Sequence, residues 1–374
     1  MASDHDPGEP VRVPFRVPIR VPIRVPVIID VDTGIDDSLA LLYACASPEI
    51  EIVAVTCLAG NVSAVHVAQN TRAVLALAGR ADLAVSLGAD RPLVKPLETT
   101  EETHGLRGVG HAELPAPTAK LDVMDATDRI IEIARRRPGE VHLVTLGPMT
   151  NLALALEREP RLPWLLHGWT FMGGAFQVPG NTTPTSEWNL YVDPDAAKAC
   201  LAAWSAVLAA DPSLPLPIGM GLDVTERARL LPGAVARLAL RAGAAAADAD
   251  VLAHGAVSTP MLAVGSVATN PVLRFIVDAL RFYFEFHAAY DGFYGAFIHD
   301  PFVVAVVADP SLITTRPVFV DVEAGPGLAH AMTIADWRGI TGQSPNVAVA
   351  VSGDAETFLD RLVERIGGLA ARTN

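Results

Sequence analysis

The chain has 374 residues, with 28 lysines and arginines against 42 aspartates and glutamates, which gives a formal net charge of −14. This acidic balance argues against a nucleic-acid-binding protein, because phosphate backbones reward a basic surface. Hydrophobic residues make up 51% of the chain and charged residues 19%, so the composition predicts a large packed core and excludes disorder of the whole chain. Three widely spaced cysteines predict neither a disulfide framework nor a zinc site.

The N-terminal segment, residues 1–26, differs from the rest of the sequence. Between residues 11 and 26, proline recurs at every fourth position with arginine in phase. Proline removes backbone donors and favours extended chain, so we expect a disordered or extended tail outside the fold. The same prolines interrupt any apolar run of the signal-peptide type. No later stretch approaches the ~18 consecutive apolar residues of a membrane helix, and we expect no membrane partner and a cytoplasmic location.

From Val27 onward, short apolar runs alternate with longer helical patterns. In chain order, the predicted elements are a strand Val27–Asp30, a helix Ser38–Ala46, a strand Ile52–Thr56, a helix Ala64–Ala78, a strand Leu83–Leu87, a helix Asp125–Arg137, a strand Val141–Leu146, a helix Leu152–Glu157, a strand Trp169–Met172, a helix Pro194–Ala203 and a strand Ala206–Ala210. Helical stretches then cover Gly233–Leu252, strand and helix patterns return at Val303–Val307, Val318–Val322 and Val347–Val351, and a final helix covers Ala355–Ile366.

This alternation predicts an α/β fold, namely an open, mainly parallel, Rossmann-like sheet that is flanked by helices on both faces. No break in composition separates two cores, so we expect a single domain over residues 27–374 with a helical insertion. In such sheets, ligands bind outside the carboxyl ends of the strands.

The strongest chemical signal follows the first predicted strand, where Asp30, Asp32, Asp36 and Asp37 occur within eight residues. Crowded carboxylates repel one another and raise each other's pKa values unless a cation neutralises them. The stretch therefore predicts a divalent metal with hard oxygen ligands. Helix capping near Ser38 would account for only one or two of the four aspartates.

Two kinds of metal-dependent enzyme fit this run of aspartates. The strand end Asp30-Val31-Asp32-Thr33 also resembles that of the haloacid-dehalogenase-type phosphatases. In that interpretation, Asp30 would attack phosphorus beside magnesium. Phosphoryl transfer requires cationic groups, yet the only lysines, Lys95, Lys120 and Lys198, lie outside any convincing phosphate-site context. The later strand ends carry asparagine and glutamate, which suit a polyhydroxylated ligand such as a sugar better than a phosphate.

Eight short motifs occur in one order along the chain. They are Asp-x-Asp-x-Gly-x-Asp-Asp at 30–37, Gly-Asn at 60–61, His-Gly at 104–105, Leu-Gly-Pro-Met-Thr-Asn-Leu-Ala at 146–153, Met-Gly-Gly at 172–174, Glu-Trp-Asn at 187–189, Asp-Pro-Asp-Ala-Ala at 193–197 and His-Asp-Pro at 299–301. With them, the sequence resembles the inosine-uridine-preferring nucleoside hydrolase family from about Val27 to the C-terminus. The resemblance implies the nucleoside hydrolase fold, with its helical insertion near the active site, and a homo-oligomer, either a dimer or a tetramer. It also implies hydrolysis of the N-glycosidic bond of ribonucleosides to ribose and a free purine or pyrimidine base, with a tightly held Ca²⁺.

The resemblance also implies roles for individual residues. The calcium ligands would be Asp32, Asp37, Asp300 and the backbone carbonyl of Leu146. Asp32 would in addition be the general base that activates a calcium-bound water, and His299 would assist departure of the base. The residues expected to bind substrate are Asp36, Asn61, His104, Met172, Asn181, Glu187 and Asn189.

Several points stay open at this level. Thr33 stands where many members have proline, and Trp188 stands where phenylalanine is frequent, so the substrate range is undecided. The aromatic residues within 282–294 fit either a flap over the base or a core helix. A catalytically silent nucleoside-binding protein is a further alternative, which the joint presence of Asp32 and His299 disfavours because binding alone does not require a base.

Overall fold

The computed structural model of the chain describes residues 24–117, 119–245 and 269–373. Its strands are β1 (Val25–Val31), β2 (Ile50–Cys57), β3 (Val85–Leu87), β4 (His142–Thr145), β5 (Gly168–Met172), β6 (Ile218–Met220), β7 (Arg229–Leu230), β8 (Ala296–Phe297), β9 (Ile313–Val318), β10 (Val320–Val322), β11 (Thr333–Ala335) and β12 (Val347–Gly353). Its α-helices are Ile35–Ala46, Ala64–Leu77, Glu101–His104, Ala126–Arg136, Thr150–Arg158, Leu162–Leu165, Trp188–Val192, Pro194–Ala210, Leu222–Thr225, Pro232–Arg241, Pro271–Tyr290, Asp300–Ala308 and Ala355–Arg372.

Eight of the strands form one sheet in the order β3-β2-β1-β4-β5-β6-β12-β9. All neighbouring pairs in it are parallel except β12 with β9, which is antiparallel. The predicted open, mainly parallel α/β sheet is therefore confirmed. Because β2, β1, β4 and β5 run in the same direction, the loops that follow them meet at one edge of the sheet.

Buried apolar residues cover both faces of this sheet. This follows from the side chains of β1, which pack alternately into two different apolar clusters. In β1, Ile28 packs into one apolar cluster, whereas Val27, Ile29 and Val31 pack into the other. Successive side chains of a strand point to opposite faces, so the two clusters lie on opposite sides of the sheet. A strand that is buried on both faces needs a nearly continuous apolar sequence, which is what β1 has.

The predicted strand Ala206–Ala210 is wrong, because this segment is the last part of the helix Pro194–Ala210. Within that helix Trp204 and Val207 are buried three residues apart, which is helical spacing. A short alanine-rich run carries too little periodicity to separate a strand from a helix. The apolar run Val303–Val307 likewise lies within a helix, Asp300–Ala308, whose valines are all buried.

The start of the fold also differs slightly from the prediction. β1 begins at Val25, so the last two residues of the predicted tail pair with β2. Pro26 is tolerated there because pairing of β1 with β4 begins only at Val27, and no ladder bond on that side is lost. Residues 1–23 of the predicted tail and residues 246–252 of the predicted helical stretch lie outside the described residues.

None of the helices in the described part of the chain combines the length and apolar character that a membrane crossing requires.

A stacked aromatic pair fixes the helix that begins at Asp300. Phe302 and Phe358 are fully buried, and their rings are 4.5 Å apart with an interplanar angle of 7°. We expect Phe302→Ala to lower the free energy of unfolding by about 3–5 kcal/mol, as large-to-small core substitutions do. Denaturant unfolding measures this, with the exposed Leu328 changed to alanine as the control. A Phe302→Ala midpoint equal to that of the control would contradict the packing role.

Candidate functional site

A cavity of about 490 Å³ opens at the carboxyl edge of the parallel strands. Most of the residues predicted from the sequence line it, namely Asp32, Asp36, Asn61, His104, Leu146, Met172, Asn181, Glu187, Asn189, His299 and Asp300. The remaining predicted residue, Asp37, is fully buried and has a carboxylate oxygen close to those of Asp36 and Asp300. The fold thus brings all of the predicted site residues together.

Asp32 follows the end of β1 and is held between two glycine-containing loops. Its Oδ2 accepts the backbone N–H of Asn61 at 2.9 Å, while its buried Oδ1 has no hydrogen-bond partner among the described residues. A Cβ atom at Gly60 would lie 2.1 Å from Oδ2, and one at Gly147 would lie 2.7 Å from Oδ1. Both loops therefore need glycine to approach this carboxylate.

Asp37 lies in the first turn of the helix Ile35–Ala46 and ties the strand–helix loop together. Its carboxylate accepts the backbone N–H groups of Gly34 at 2.8 Å and Asp32 at 3.3 Å, and the side-chain amide of Asn61 at 3.2 Å. An acidic side chain at a helix N-terminus is also favoured by the helix dipole. The position of Asp37 is thus determined locally, by the same stretch that places Asp32.

Three carboxylates meet here without a cationic side chain. Oxygens of Asp36, Asp37 and Asp300 lie within 4.8 Å of one another, and no lysine or arginine is among the described residues that line the cavity. Burial, followed by the charge of Asp37, raises the pKa of Asp32 well above its ordinary value and that of Asp36 to about 8. Burial and the charges of Asp36, Asp37 and Asp32 do the same to the pKa of Asp300.

This donor set fits a divalent metal ion. The donors of the cluster Asp36, Asp37 and Asp300 are carboxylate oxygens, which hard cations prefer. The unpartnered Oδ1 of Asp32 is the kind of buried atom that a cation would satisfy, since an ionised carboxylate left unpaired in the interior is strongly disfavoured. The tight cluster contains Asp36 in addition to the predicted Asp37 and Asp300.

Asn189 orients the carbonyl group of Leu146 at the end of β4. Its Nδ2 donates to Leu146 O at 2.6 Å and to Met172 O at 3.2 Å. Asn189 is in turn fixed by Glu187, which caps the helix Trp188–Val192 by accepting the backbone N–H of Asn189 at 2.9 Å. Burial raises the pKa of Glu187 although three backbone N–H groups donate to it. At the mouth of the cavity, the Oδ1 of Asn181 accepts the backbone N–H of Trp188.

Two predicted histidines enter the cavity with different partners. His104 Nδ1 accepts the backbone N–H of Ile35 at 3.1 Å, so the neutral ring carries its proton on Nε2. His299 Nδ1 lies 2.8 Å from Thr225 Oγ1. Burial, with the neighbouring His287 as a further cause, lowers the pKa of both rings to about 3. Both are therefore neutral near pH 7.

The helix Pro271–Tyr290 and its C-terminal cap supply one wall of the cavity. The sequence analysis left open whether the aromatic residues of this segment form a flap or a core helix, and it did not single out His287 or Asp291. Tyr283, Phe286, His287, Tyr290 and Asp291 line the cavity from this element. By contrast, Phe282 packs against the ring of His111 at 5.0 Å. Residues 283, 286, 287 and 290 have the spacing of one helix face. This spacing is the sequence pattern that could have predicted a shared wall.

Asp30 does not line the cavity. It is fully buried, and its Oδ1 accepts the Thr56 hydroxyl at 2.5 Å and the Asn151 amide at 2.8 Å. Burial raises the pKa of Asp30 to about 7. The residue ties β1 to β2 and to the helix Thr150–Arg158, so the phosphatase interpretation lacks an accessible nucleophile.

Comparison with known proteins agrees with the motifs. The family model described as inosine-uridine preferring nucleoside hydrolase matches residues 27–360. The pyrimidine-specific ribonucleoside hydrolase RihA of Enterobacter sp. (strain 638) is 34% identical over 343 residues, which cover 91% of this chain and 97% of that protein. The solved structure of a purine-preferring ribonucleoside hydrolase from Gardnerella vaginalis has a TM-score of 0.78 at 28% identity and covers 93% of this chain and 99% of its own. A plant nucleoside hydrolase, PpNRh1, has a TM-score of 0.77 at 28% identity over 92% of this chain and 99% of its own. The chain therefore belongs to the inosine-uridine preferring nucleoside hydrolase family and is a ribonucleoside hydrolase.

Proposed function

We propose that the protein is a calcium-dependent hydrolase that cleaves the N-glycosidic bond of ribonucleosides and releases ribose and a free purine or pyrimidine base. The observation that carries this proposal is the buried, unpartnered Oδ1 of Asp32 beside the carboxylates of Asp36 and Asp300 in one cavity. A cation and a neutral sugar suit such a cavity. A phosphorylated substrate does not, because the described lining offers no lysine or arginine to stabilise the phosphoryl oxygens.

The proposed calcium ligands are Asp32, Asp37, Asp300 and the carbonyl oxygen of Leu146. Calcium accepts six to eight oxygens in flexible geometry, which leaves positions for hydroxyl groups of the substrate. When bound, the ion would neutralise the crowded carboxylates and polarise the oxygens that it contacts.

The side chains of the protein would carry the individual steps. Asp32 takes a proton from the attacking water, since a buried carboxylate with an unpartnered oxygen can act as a general base. The carboxylates around the ribose stabilise the positive charge that develops at C1′ in an oxocarbenium-like transition state. His299, which also lines the cavity, assists departure of the base.

The ribose would be held by hydrogen bonds at both of its ends. The residues proposed for the 2′- and 3′-hydroxyls are Asp36, Asn61 and Asn189, and those proposed for the 5′-hydroxyl are Asn181 and Glu187. His104, which also lines the cavity, would contact the substrate near its base, and Met172 would be a further substrate contact.

The base preference is not decided by family membership. One relative is named as pyrimidine-specific and another as purine-preferring. We propose that the wall formed by the helix Pro271–Tyr290 selects the base. The homo-oligomer, whether dimer or tetramer, and the cytoplasmic location stay predictions from the sequence.

An assay with several substrates tests the reaction class. Purified protein with calcium is incubated with inosine, uridine, adenosine, cytidine and p-nitrophenyl phosphate, and reducing sugar and phosphate are measured. We expect ribose from at least one nucleoside and no phosphate. Phosphate without ribose would contradict the proposal, and saturable nucleoside binding without ribose would favour a silent binding protein.

The base role of Asp32 predicts a specific loss. Asp32→Asn keeps the size of the side chain but removes its basicity, so we expect kcat to fall by about 10²–10⁴-fold, the usual contribution of general-base catalysis. Steady-state kinetics at saturating calcium measure this, with the exposed Asp90 changed to asparagine as the matched control. Retention of wild-type kcat by Asp32→Asn would remove Asp32 from the base role.

Metal binding predicts a change in stability. Binding to the folded state alone stabilises it by about 2.7 kcal/mol at a ligand concentration of 100 Kd. We therefore expect calcium to raise the Tm of chelator-treated protein and magnesium to raise it less. In Asp300→Asn the calcium effect should shrink strongly. An unchanged Tm on calcium addition to the wild type would argue against a resident calcium ion.

The glycine beside Asp32 offers a test that changes no functional group. Gly60→Ala places a Cβ atom 2.1 Å from Asp32 Oδ2 unless the carboxylate moves, and we expect kcat/KM to fall by about 10²-fold, as for misplacement of a reacting group by ~1 Å. Gly233→Ala is the control, because a Cβ atom at Gly233 would have no neighbour within 4 Å. Equal activity of the two variants would show that Asp32 tolerates the displacement.

A further inference from the structure

His287 is held by a carboxylate and turned into the cavity. It lies in the last turn of the helix Pro271–Tyr290, and its Nδ1 is 2.6 Å from Asp291 Oδ2. Its side chain is only 5% exposed. The other ring nitrogen, Nε2, is buried and has no hydrogen-bond partner among the described residues, although the residue lines the cavity.

Among the described residues, the three histidines that line the cavity differ in their hydrogen-bond partners. A backbone amide donates to His104, and a hydroxyl contacts His299, whereas His287 is paired with an acid. A carboxylate partner favours the protonated imidazolium. The C-terminal end of the helix favours it as well, because the helix dipole is negative there. In the described cavity wall, His287 is therefore the histidine that is best placed to carry a transferable proton.

We propose that His287, held by Asp291, is the catalytic acid that protonates the leaving base, while the neutral His299 assists departure without supplying that proton. This role rests on the proposed ribonucleoside hydrolysis. As the C1′–N bond breaks, its electron pair passes to the base, and the proton on His287 Nε2 bonds to a base nitrogen. The oxygen of water bonds to C1′, and the proton of that water passes to Asp32. Asp291, whose side chain is 41% exposed, connects His287 to solvent, from which the proton is replaced.

Other titratable groups lie near His287, and a pH profile must distinguish their protonation from that of His287. Burial lowers the pKa of His287, while the hydrogen bond and charge of Asp291 raise it. Among the described residues, the other titratable side chains that line the cavity are Asp32, Asp36, Glu102, His104, Glu187, Glu226, Tyr283, Tyr290, His299 and Asp300. Arg229 lies over the rings of Phe293 and Phe297, which in turn contact the ring of His287. Burial raises the pKa of Glu226 to about 7, so Glu226 needs its own variant.

The leaving group provides the first test. In His287→Gln we expect kcat on inosine or uridine to fall by about 10²-fold or more, the range of general-acid catalysis. On p-nitrophenyl riboside, whose leaving group needs no proton, kcat should stay within about threefold of the wild type, because no acid is required. His111→Gln is the matched control, since His111 pairs with Glu285 of the same helix at 2.8 Å but does not line the cavity.

The pH dependence provides the second test, and a purely structural role would not change it. The kcat/KM of the wild type on a nucleoside should fall as pH rises through the pKa of His287. Asp291→Asn removes the stabilising charge and should move this fall to lower pH by about one unit or more, and His287→Gln should abolish it. Glu226→Gln should retain the fall.

Three results would overturn the inference. These are unchanged nucleoside hydrolysis by His287→Gln, equal losses by that variant on nucleoside and p-nitrophenyl riboside, and disappearance of the fall in Glu226→Gln. If the wild-type enzyme releases no ribose from any nucleoside, the proposed function and this inference fall together. An active wild type with an unaffected His287→Gln removes only the inference.

Discussion

The constraint on which the site depends is a cluster of buried carboxylates beside which the described part of the chain places no lysine or arginine. The parallel strands deliver Asp32 and Leu146 to one edge of the sheet, and the helix starts at residues 35 and 300 add Asp36, Asp37 and Asp300. Burial and mutual repulsion raise the pKa values of these acids, which makes the arrangement unfavourable without protons or a cation. Part of the net charge of −14 is thus concentrated where a neutral, polyhydroxylated substrate would bind.

Much of the surrounding structure holds this arrangement in place. Gly60 and Gly147 allow two loops to approach Asp32, and Asn189 fixes the carbonyl of Leu146 while Glu187 fixes Asn189. Asp30, two residues earlier in β1, joins two strands and a helix through Thr56 and Asn151. These contacts are short and buried, so they position the oxygen atoms more firmly than loops alone would.

The sequence was informative wherever the signal was local. The run of aspartates after β1 lies within one strand–loop–helix unit, so its convergence followed from the predicted order of elements. The family motifs extended this to Asn61, Glu187 and His299, which local patterns alone would not have brought together. The roles of these residues stay predictions.

Prediction failed where the outcome depended on tertiary packing. Ala206–Ala210 was predicted as a strand, but it continues a helix because Trp204 and Val207 pack on the same side. His287 and Asp291 were missed because they face the cavity only once the helix Pro271–Tyr290 is packed beside it. The aromatic residues 282–290 lie in one helix, Pro271–Tyr290. Packing divides them, since Phe282 contacts His111 while Tyr290 lines the cavity.

The most direct measurement of the central claim is a crystal structure of the wild-type protein with calcium and ribose. We expect one calcium ion about 2.3–2.6 Å from oxygens of Asp32, Asp37, Asp300 and the Leu146 carbonyl, with ribose hydroxyls completing its coordination. Anomalous scattering identifies the ion. A carboxylate cluster without calcium at saturating calcium concentration, or ribose bound away from these residues, would contradict the proposed calcium site.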